Sequence, residues 1–491
     1  MLRTSLLAGV MCVLLASSLA AAKPVVRWRC TTDTERWVDK GTLPVNAKDA
    51  AASSIEVNTS VLYQKMEGWG GCFNELGWDA LSAAGEADRK EVIKALFDPK
   101  DGCKFNICRM PIGANDYAMN YYSLDDTDGD YAMAGFTIER DKKCLIPYIK
   151  SAMVYRPDLK IWGSPWSPPA WMKDKKRYSG GRLVKDDQTQ KAYALYFEKY
   201  VQGYQKEGIN VFAVHVQNEP FEGPNYPSCL WSAQEIRDFI ANYLGPQFAK
   251  DNVKAEIWLG TINQDKYNDY IHDILTDKDA SKYISGLGCQ WGARPCVAAA
   301  RADFPDLRIY ATEHECGNCW WGDWGWGAYK DTAPNDWYYG DYTLGSMIEW
   351  LKAGVNAYTQ WNMILEPTGK SSWGWPQNSM ITIFKDTGKV RFNPQFYAAK
   401  HFSYYVQPGA RRLDVAGSYD GIGDAKKNFW PGGDKVAFVN PSGEKVLIVR
   451  NNSDQPRKVA VKFGKIVVYP TIPARSMNTF TMTGGGKIKL R

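Results

Sequence analysis

Two short runs place a glutamate directly behind a strand-like segment. Gln217-Asn218-Glu219-Pro220 closes an apolar run that begins at Val211, and because proline ends a ladder, Glu219 is left at the strand's end. Ala311-Thr312-Glu313-His314-Glu315 closes a second run that begins at Arg308. Two carboxyl groups facing one another across a cleft can divide acid and base work: one keeps a proton for a departing oxygen while the other stays ionised. The same residues could be solvated loop acids, which is where most acids are found. Alternation by two puts Glu315 on the side of Glu313, so spacing does not choose between them.

The remaining composition limits the alternatives. There are four histidines and no HExxH or close His/Cys cluster, so a multi-histidine metal hydrolase is excluded and no metal or cofactor is expected. Sixty basic against 54 acidic residues give +6, spread without Lys/Arg blocks, which argues against nucleic acid and favours a neutral partner. Gly369-Lys-Ser371 hints at a phosphate loop, but that loop needs a glycine where Ile364 stands. Twenty tryptophans exceed ordinary core needs, and Trp320-Trp-Gly-Asp-Trp-Gly-Trp326, with Trp337, Tyr338 and Tyr339 behind it, reads as a wall for stacking sugar rings.

The elements that must hold the two glutamates follow from hydrophobic pattern. Eight β-type runs occur: 67–72, 105–113, 160–164, 211–217, 256–261, 284–291, 308–313 and 357–362. Between them lie segments with apolar residues at helical spacing, such as 190–207 and 233–244. Eight strands each followed by a helix predict an α/β fold, a (β/α)8 TIM barrel, with a doubly wound sheet as the runner-up. Active sites of such barrels lie at the C-terminal strand ends, where the fourth and seventh strands present Glu219 and Glu313. Two rim acids among tryptophans favour glycoside hydrolysis.

Beyond Phe402 strands continue without helices. The runs 435–439 and 445–451 flank the turn Asn440-Pro-Ser-Gly443, and 457–469 and 477–482 follow. These are too few for a closed sandwich, so the N-terminal strands 54–58 and 60–66 are expected to join it. The expected units are a signal peptide at 1–22, N-terminal sandwich strands at 23–66, a barrel at 67–401 and a sandwich at 402–491.

Arg3, the apolar run from Leu6 to Leu15 and the small residues Ala20 to Ala22 form the pattern of a cleaved export signal, cut after Ala22. The run is too short to span a bilayer, so no stable membrane insertion is expected, and the chain is expected to be secreted, extracellular or, in a bacterial source, periplasmic. Without Cys12 ten cysteines remain, an even number that suits disulfides, with Cys316–Cys319 and Cys289–Cys296 the preferred pairs. Asn58 and Asn451 head glycosylation sequons.

The chain resembles glycoside hydrolase family 30, the glucosylceramidase and β-1,6-glucanase group, over nearly its whole mature length. The resemblance rests on Glu67-Gly-Trp-Gly-Gly-Cys-Phe-Asn74, Phe105-Asn-Ile-Cys-Arg-Met-Pro-Ile-Gly113 with Asp116, Ser164-Pro-Trp-Ser-Pro-Pro-Ala-Trp171, Gln217-Asn-Glu-Pro220, Ala311-Thr-Glu313 and Gln360-Trp-Asn362. It implies a barrel with a side β-sandwich built from both chain ends. It also implies a retaining double displacement, with Glu219 as general acid/base and Glu313, preceded by two small residues, as nucleophile rather than Glu315. By the same resemblance Arg109 supports the nucleophile, Asn218 holds the sugar 2-hydroxyl, and Asp116, Trp166 and Trp361 grip the terminal sugar, while Trp171 is either core or ligand-facing. Where the glucosylceramidase branch carries His-Trp-Tyr, this chain has Gln290-Trp291-Gly292. The implied partner is a β-linked carbohydrate, with β-1,6-glucan as first choice. Glucosylceramide, β-xyloside, β-fucoside, β-galactan and a catalytically silent carbohydrate-binding barrel are the alternatives.

Overall fold

A computed structural model describes residues 23–315, 334–423 and 432–484. Eight parallel strands close into a barrel: β1 Gly68–Cys72, β2 Ile107–Ile112, β3 Lys160–Pro165, β4 Val211–His215, β5 Glu256–Ile262, β6 Ile284–Gln290, β7 Arg308–Glu313 and β8 Ala357–Asn362. They follow one another round the barrel in chain order, and β8 pairs with β1. Each falls within one or two residues of an expected run, because strands covered on both faces read as continuous apolar stretches. Where the barrel is tightest, glycine is required by space. A Cβ on Gly70 of β1 would lie 1.6 Å from the Ile107 carbonyl oxygen, and one on Gly288 of β6 would lie 2.6 Å from His215 Nδ1.

The lower barrel interior is a layer of Ile107, Trp162, Ala213, Trp258, Tyr310 and Ala357. The His215 ring lies between Trp162 and Trp258, at centroid distances of 4.2 and 5.1 Å. Burial holds this imidazole neutral by lowering its pKa well below the usual value. Arg109 stands above this layer, its guanidinium 5.1 Å from the Trp162 ring.

The second unit is one ten-stranded sheet. Its path runs from Ile466–Val468 through Arg457–Phe463, Ser53–Lys65, Arg411–Ala416, Lys435–Val439, Lys445–Asn451 and Ser476–Thr483 to Val25–Thr32 and Val38–Leu43, with Thr471–Ile472 beside Arg457–Phe463. Both chain ends therefore contribute: Val25–Thr32 lies antiparallel to Ser476–Thr483, with Val25 opposite Thr483. The expected pair 54–58 and 60–66 is one strand, whose pairing with Arg411–Ala416 absorbs irregularities near Leu62 and Asn58. The expected run 457–469 is instead two strands joined at Gly464, whose φ of +61° is the left-handed region glycine favours.

Lys445–Asn451 is buried throughout, and its alternation explains why. Leu447 and Val449 face the sandwich core that also holds Val26 and Val461, while Val446 and Ile448 join the barrel's core. Polar ties cross the same seam. Arg450 donates to Asp341 through Nε at 2.8 Å and Nη2 at 2.5 Å, and the His401 ring nitrogens meet Thr479 Oγ1 and Thr31 Oγ1 at 2.8 and 3.0 Å.

The eight cysteines among the described residues are free thiols. The expected bridge between Cys289 and Cys296 is absent: Cys289 is buried in β6, and Cys296 turns its Sγ to Asp265 Oδ1 at 3.3 Å. Cys316, Cys319, the 320–326 aromatic run and the export signal lie outside the described residues. Asn451 is buried, with its side-chain amide donating to the Gln455 and Pro473 carbonyls, so its sequon is closed in the folded chain, whereas Asn58 is exposed.

Candidate active site

Arg109, two residues up β2 from the floor layer, organises the barrel mouth. Its guanidinium is fully buried among indoles, 4.4 Å from the Trp166 ring and 5.4 Å from that of Trp361. Nε and Nη2 donate to Ser164 Oγ at 3.1 and 2.9 Å, and Nη2 donates to Asn218 Oδ1 at 2.7 Å. Nη1 reaches Glu313 Oε2 at 2.5 Å. Such a planar fork fixes its partners in one arrangement. Because arginine only donates, Asn218 must turn its oxygen toward it. That oxygen also accepts from Thr261 Oγ1 at 3.0 Å, which leaves the Asn218 NH2 for the cavity.

Glu313 ends β7 and receives two further donors, Trp291 Nε1 at 3.0 Å on Oε1 and Gln290 Nε2 at 3.2 Å on Oε2. Glu219 lies beyond β4, where its N–H bonds the Thr261 carbonyl at 3.1 Å and its φ is +47°. A left-handed glutamate is strained, and strain of this kind gathers at functional sites. The Glu219 carboxyl accepts from Tyr226 Oη at 3.1 Å and from Gln290 Nε2 at 3.3 Å. One amide nitrogen thus touches both carboxyls, so Glu219 Oε1 and Glu313 Oε2 lie no further apart than the two bond lengths together, 6.5 Å.

Charge is distributed unevenly between them. Burial, then the neighbouring Glu313 charge, pushes Glu219 up to about 8. Burial also raises Glu313, but Arg109, Trp291 and Gln290 act against it. The guanidinium belongs to Glu313 alone, so a proton shared by the pair resides on Glu219. Asp116 is a third carboxyl at the mouth, raised well above the usual range by burial and then by Glu313 and Glu219. Its Oδ1 is buried with no protein partner, an acceptor awaiting a donor.

Asp116, Trp166, Asn218, Glu219, Tyr226 and Glu313, with Trp291, Trp375 and Gln377, line one cavity at the barrel mouth. Trp361 stacks behind Trp166 at 5.5 Å rather than lining it, and its indole N–H donates to Gln377 Oε1 at 2.9 Å. Gln377 Oε1 also accepts from Asn362, so its NH2 is the end presented to the cavity. Glu315 does not share the side of Glu313. The strand stops at Glu313, alternation lapses, and the Glu315 carboxyl bonds the Tyr342 hydroxyl of helix Trp337–Ala353. Trp171 is half-buried at the rim, its indole donating to the Asp125 carbonyl at 3.0 Å. Among the described residues no three His, Cys, Asp or Glu side chains gather as a metal site.

Not legible from sequence are the contacts of Gln290 and Trp291 with the carboxyls, and the place of Tyr226, Trp375 and Gln377 in the cavity. Trp375 and Gln377 follow β8, in a loop carried by a small sheet of Ile364–Leu365, Ile381–Phe384 and Lys389–Phe392. The signal available was the aromatic density of Trp373-Gly-Trp375-Pro-Gln377 just past a barrel strand.

The Glycosyl hydrolase family 30 TIM-barrel domain model matches residues 66–406, and the family 30 beta sandwich domain model matches 409–480. Lysosomal acid glucosylceramidase of Mus musculus is 27% identical over 438 residues, 85% of this chain and 81% of that protein. An endo-1,6-beta-D-glucanase of Aspergillus fumigatus is 27% identical over 421 residues, 81% of this chain and 80% of that protein. The crystal structure of SrfJ from Salmonella typhimurium superposes with a TM-score of 0.82 at 27% identity, covering 94% of this chain and 99% of that one.

Proposed function

The chain belongs to glycosyl hydrolase family 30, and from that premise we propose that it is an exported, retaining β-glycoside hydrolase that cleaves β-1,6-linked glucan. The observation that carries the mechanism is the Gln290 amide lying between Glu219 and Glu313, which limits their nearest oxygens to 6.5 Å. Retaining enzymes hold their carboxyls about 5–5.5 Å apart, whereas inverting ones leave about 6.5–9.5 Å for a water between them. With Arg109 holding its charge, Glu313 attacks the anomeric carbon. Glu219, high in pKa, gives its proton to the departing oxygen. Glu219, now a base, takes a proton from the water that attacks the same carbon, and the bond to Glu313 breaks.

The sugar in the cavity meets a matched set of groups. Asp116 Oδ1 accepts from hydroxyls, the NH2 groups of Asn218 and Gln377 donate, and the Trp166 indole packs a ring face. A glucose bearing equatorial hydroxyls all round uses both kinds of partner. Relatives of both specificities match at 27%, so linkage is argued from the rim. Beyond Glu219 the rim carries Glu222, Asn263 and Gln264 joined by hydrogen bonds, which suits a polar leaving group better than a lipid. No helix among the described residues is long and apolar enough to cross a membrane.

The test compares sugar release from β-1,6-glucan with hydrolysis of glucosylceramide, β-xyloside and β-fucoside. Preference for β-1,6-glucan is expected; a strong preference for glucosylceramide or a non-gluco sugar overturns the substrate and leaves the two-glutamate mechanism standing. Export is checked by N-terminal sequencing of the protein recovered outside the cell. A mature start at Lys23 is expected, and retention of Met1 opposes it.

A further inference from the structure

Among the described residues, Tyr121 is one of few large apolar side chains left open, at 40% exposure. Its ring lies nearly parallel to that of Tyr178, with centroids 5.5 Å apart and planes 8° apart, and meets Trp373 at 5.0 Å and 61°. Neither tyrosine is free to swing, because the Tyr121 hydroxyl donates to the Asn225 carbonyl and that of Tyr178 to Asp126. Two residues past Trp373, Trp375 lines the cavity and meets Tyr226 at 4.8 Å and 65°. A file of rings therefore leads outward from the cavity: Trp375 and Tyr226, then Trp373 and Tyr121, then Tyr178.

The file leaves on one definite side. Asn225, which holds Tyr121, is the chain neighbour of Tyr226, which donates to Glu219. On the reading of Glu219 as the acid, the bond to be broken has its leaving oxygen there, and a departing chain that runs past Tyr226 extends over these rings. We propose that Tyr121, Tyr178 and Trp373 form a leaving-group platform on which sugars of a β-linked gluco-oligosaccharide beyond the scissile bond stack. The proposal rests on the glucan reading above. A pyranose offers an apolar C–H face with a polar rim, and rings whose polar ends are already tied match that pattern. Rings held in place also lose little freedom on binding. A lipid tail would require contiguous apolar side chains, whereas Asp126 and Asn225 interrupt this surface.

The platform predicts a dependence on chain length that the cavity alone does not give. For β-1,6-linked gluco-oligosaccharides, kcat/KM should rise about tenfold from disaccharide to tetrasaccharide, the gain expected from one well-formed ring contact. Tyr121→Ala and Tyr178→Ala should each bring that ratio close to one, chiefly through KM, while Tyr121→Phe, which keeps the ring, should preserve most of it. Because the readout is a ratio within one variant, partial misfolding cancels. An unchanged ratio in both alanine variants, or a wild-type rate independent of length, overturns the platform and leaves the glucan reading intact. A wild-type enzyme that leaves every gluco-oligosaccharide whole defeats the glucan reading and the platform with it. If glucosylceramide is then the substrate and its KM rises in the alanine variants, the rings hold lipid instead.

Discussion

Strand β7 begins with Arg308 at the barrel floor and ends with Glu313 at its mouth, and the two ends use the same residue types in opposite ways. At the floor Arg308 is shared by two carboxylates. Its Nη1 reaches both Glu256 oxygens at 2.8 and 2.7 Å, and Nε and Nη2 reach Glu67 at 3.0 and 2.9 Å. All three side chains are 22–34% exposed, so water screens what the ions do not satisfy. At the mouth Arg109 faces three buried carboxyls and pairs with one. Glu219 and Asp116 are left without a cation, and burial lifts both. Satisfied and wet, the first cluster ties β1, β5 and β7 together. Unsatisfied and dry, the second holds protons in readiness, which is the condition for acid–base chemistry.

The contrast breaks most sharply at Glu313. Glu313→Gln should lower turnover by about 10⁴-fold or more on every substrate, as loss of a nucleophile does; retention of a tenth of the wild-type rate would contradict its role. Glu219→Gln should cost about 10²–10⁴-fold on glucan and far less for the first step on aryl glycosides whose leaving groups need no proton. The same substitution should stabilise the fold. In the wild type the unfolded carboxyl ionises near 4.5 and the folded one near 8, so stability is lost as pH rises across that window. The melting-temperature gain of Glu219→Gln should therefore grow from pH 4.5 to 8 and then level off; a gain that shrinks with pH contradicts the raised pKa.

Arg109→Lys should cost about 10²-fold, because an ammonium cannot serve Glu313, Ser164 and Asn218 together. The pH profile of kcat/KM should fall above about 8 as Glu219 loses its proton. At the floor, Arg308→Ala should change turnover less than about twofold while lowering stability by about 1–3 kcal/mol in denaturant titration. A large loss of turnover with unchanged stability would erase the distinction between the two ends. Smallest of all, Glu315→Gln should leave turnover within about twofold, since its carboxyl bonds Tyr342 and not the cavity.

Much of this arrangement is legible in the residues because barrel strands are apolar on both faces and give way to polar runs beyond their ends. That punctuation marks Glu219 and the pair Glu313 and Glu315, and only the resemblance to family 30 chooses Glu313 of the two. Glu315 was misplaced for a definite reason: a period of two holds only while the strand lasts, and β7 ends one residue after Thr312. The bridging of both carboxyls by Gln290 is not legible in sequence, because that contact depends on where β6 ends relative to β4 and β7, which no local pattern encodes. The platform tyrosines are equally silent in sequence. Tyr121 and Tyr178 meet from loops 57 positions apart, and Trp373, which meets Tyr121, comes from the loop after β8. An even cysteine number suits disulfides and a place at the barrel rim favours the pair Cys289 and Cys296, but the helix bearing Cys296 points its thiol at Asp265.

In the proposed mechanism Glu313 forms a covalent bond with the sugar while Glu219 supplies the proton. It is tested most directly by trapping: incubation with a 2-deoxy-2-fluoro-β-glucoside bearing a good leaving group, followed by peptide mass mapping of the inactivated protein. A fluoroglucosyl adduct on Glu313 is the predicted result. An adduct on Glu219 or Glu315, or turnover of the reagent with inversion at the anomeric carbon and no adduct, would contradict it.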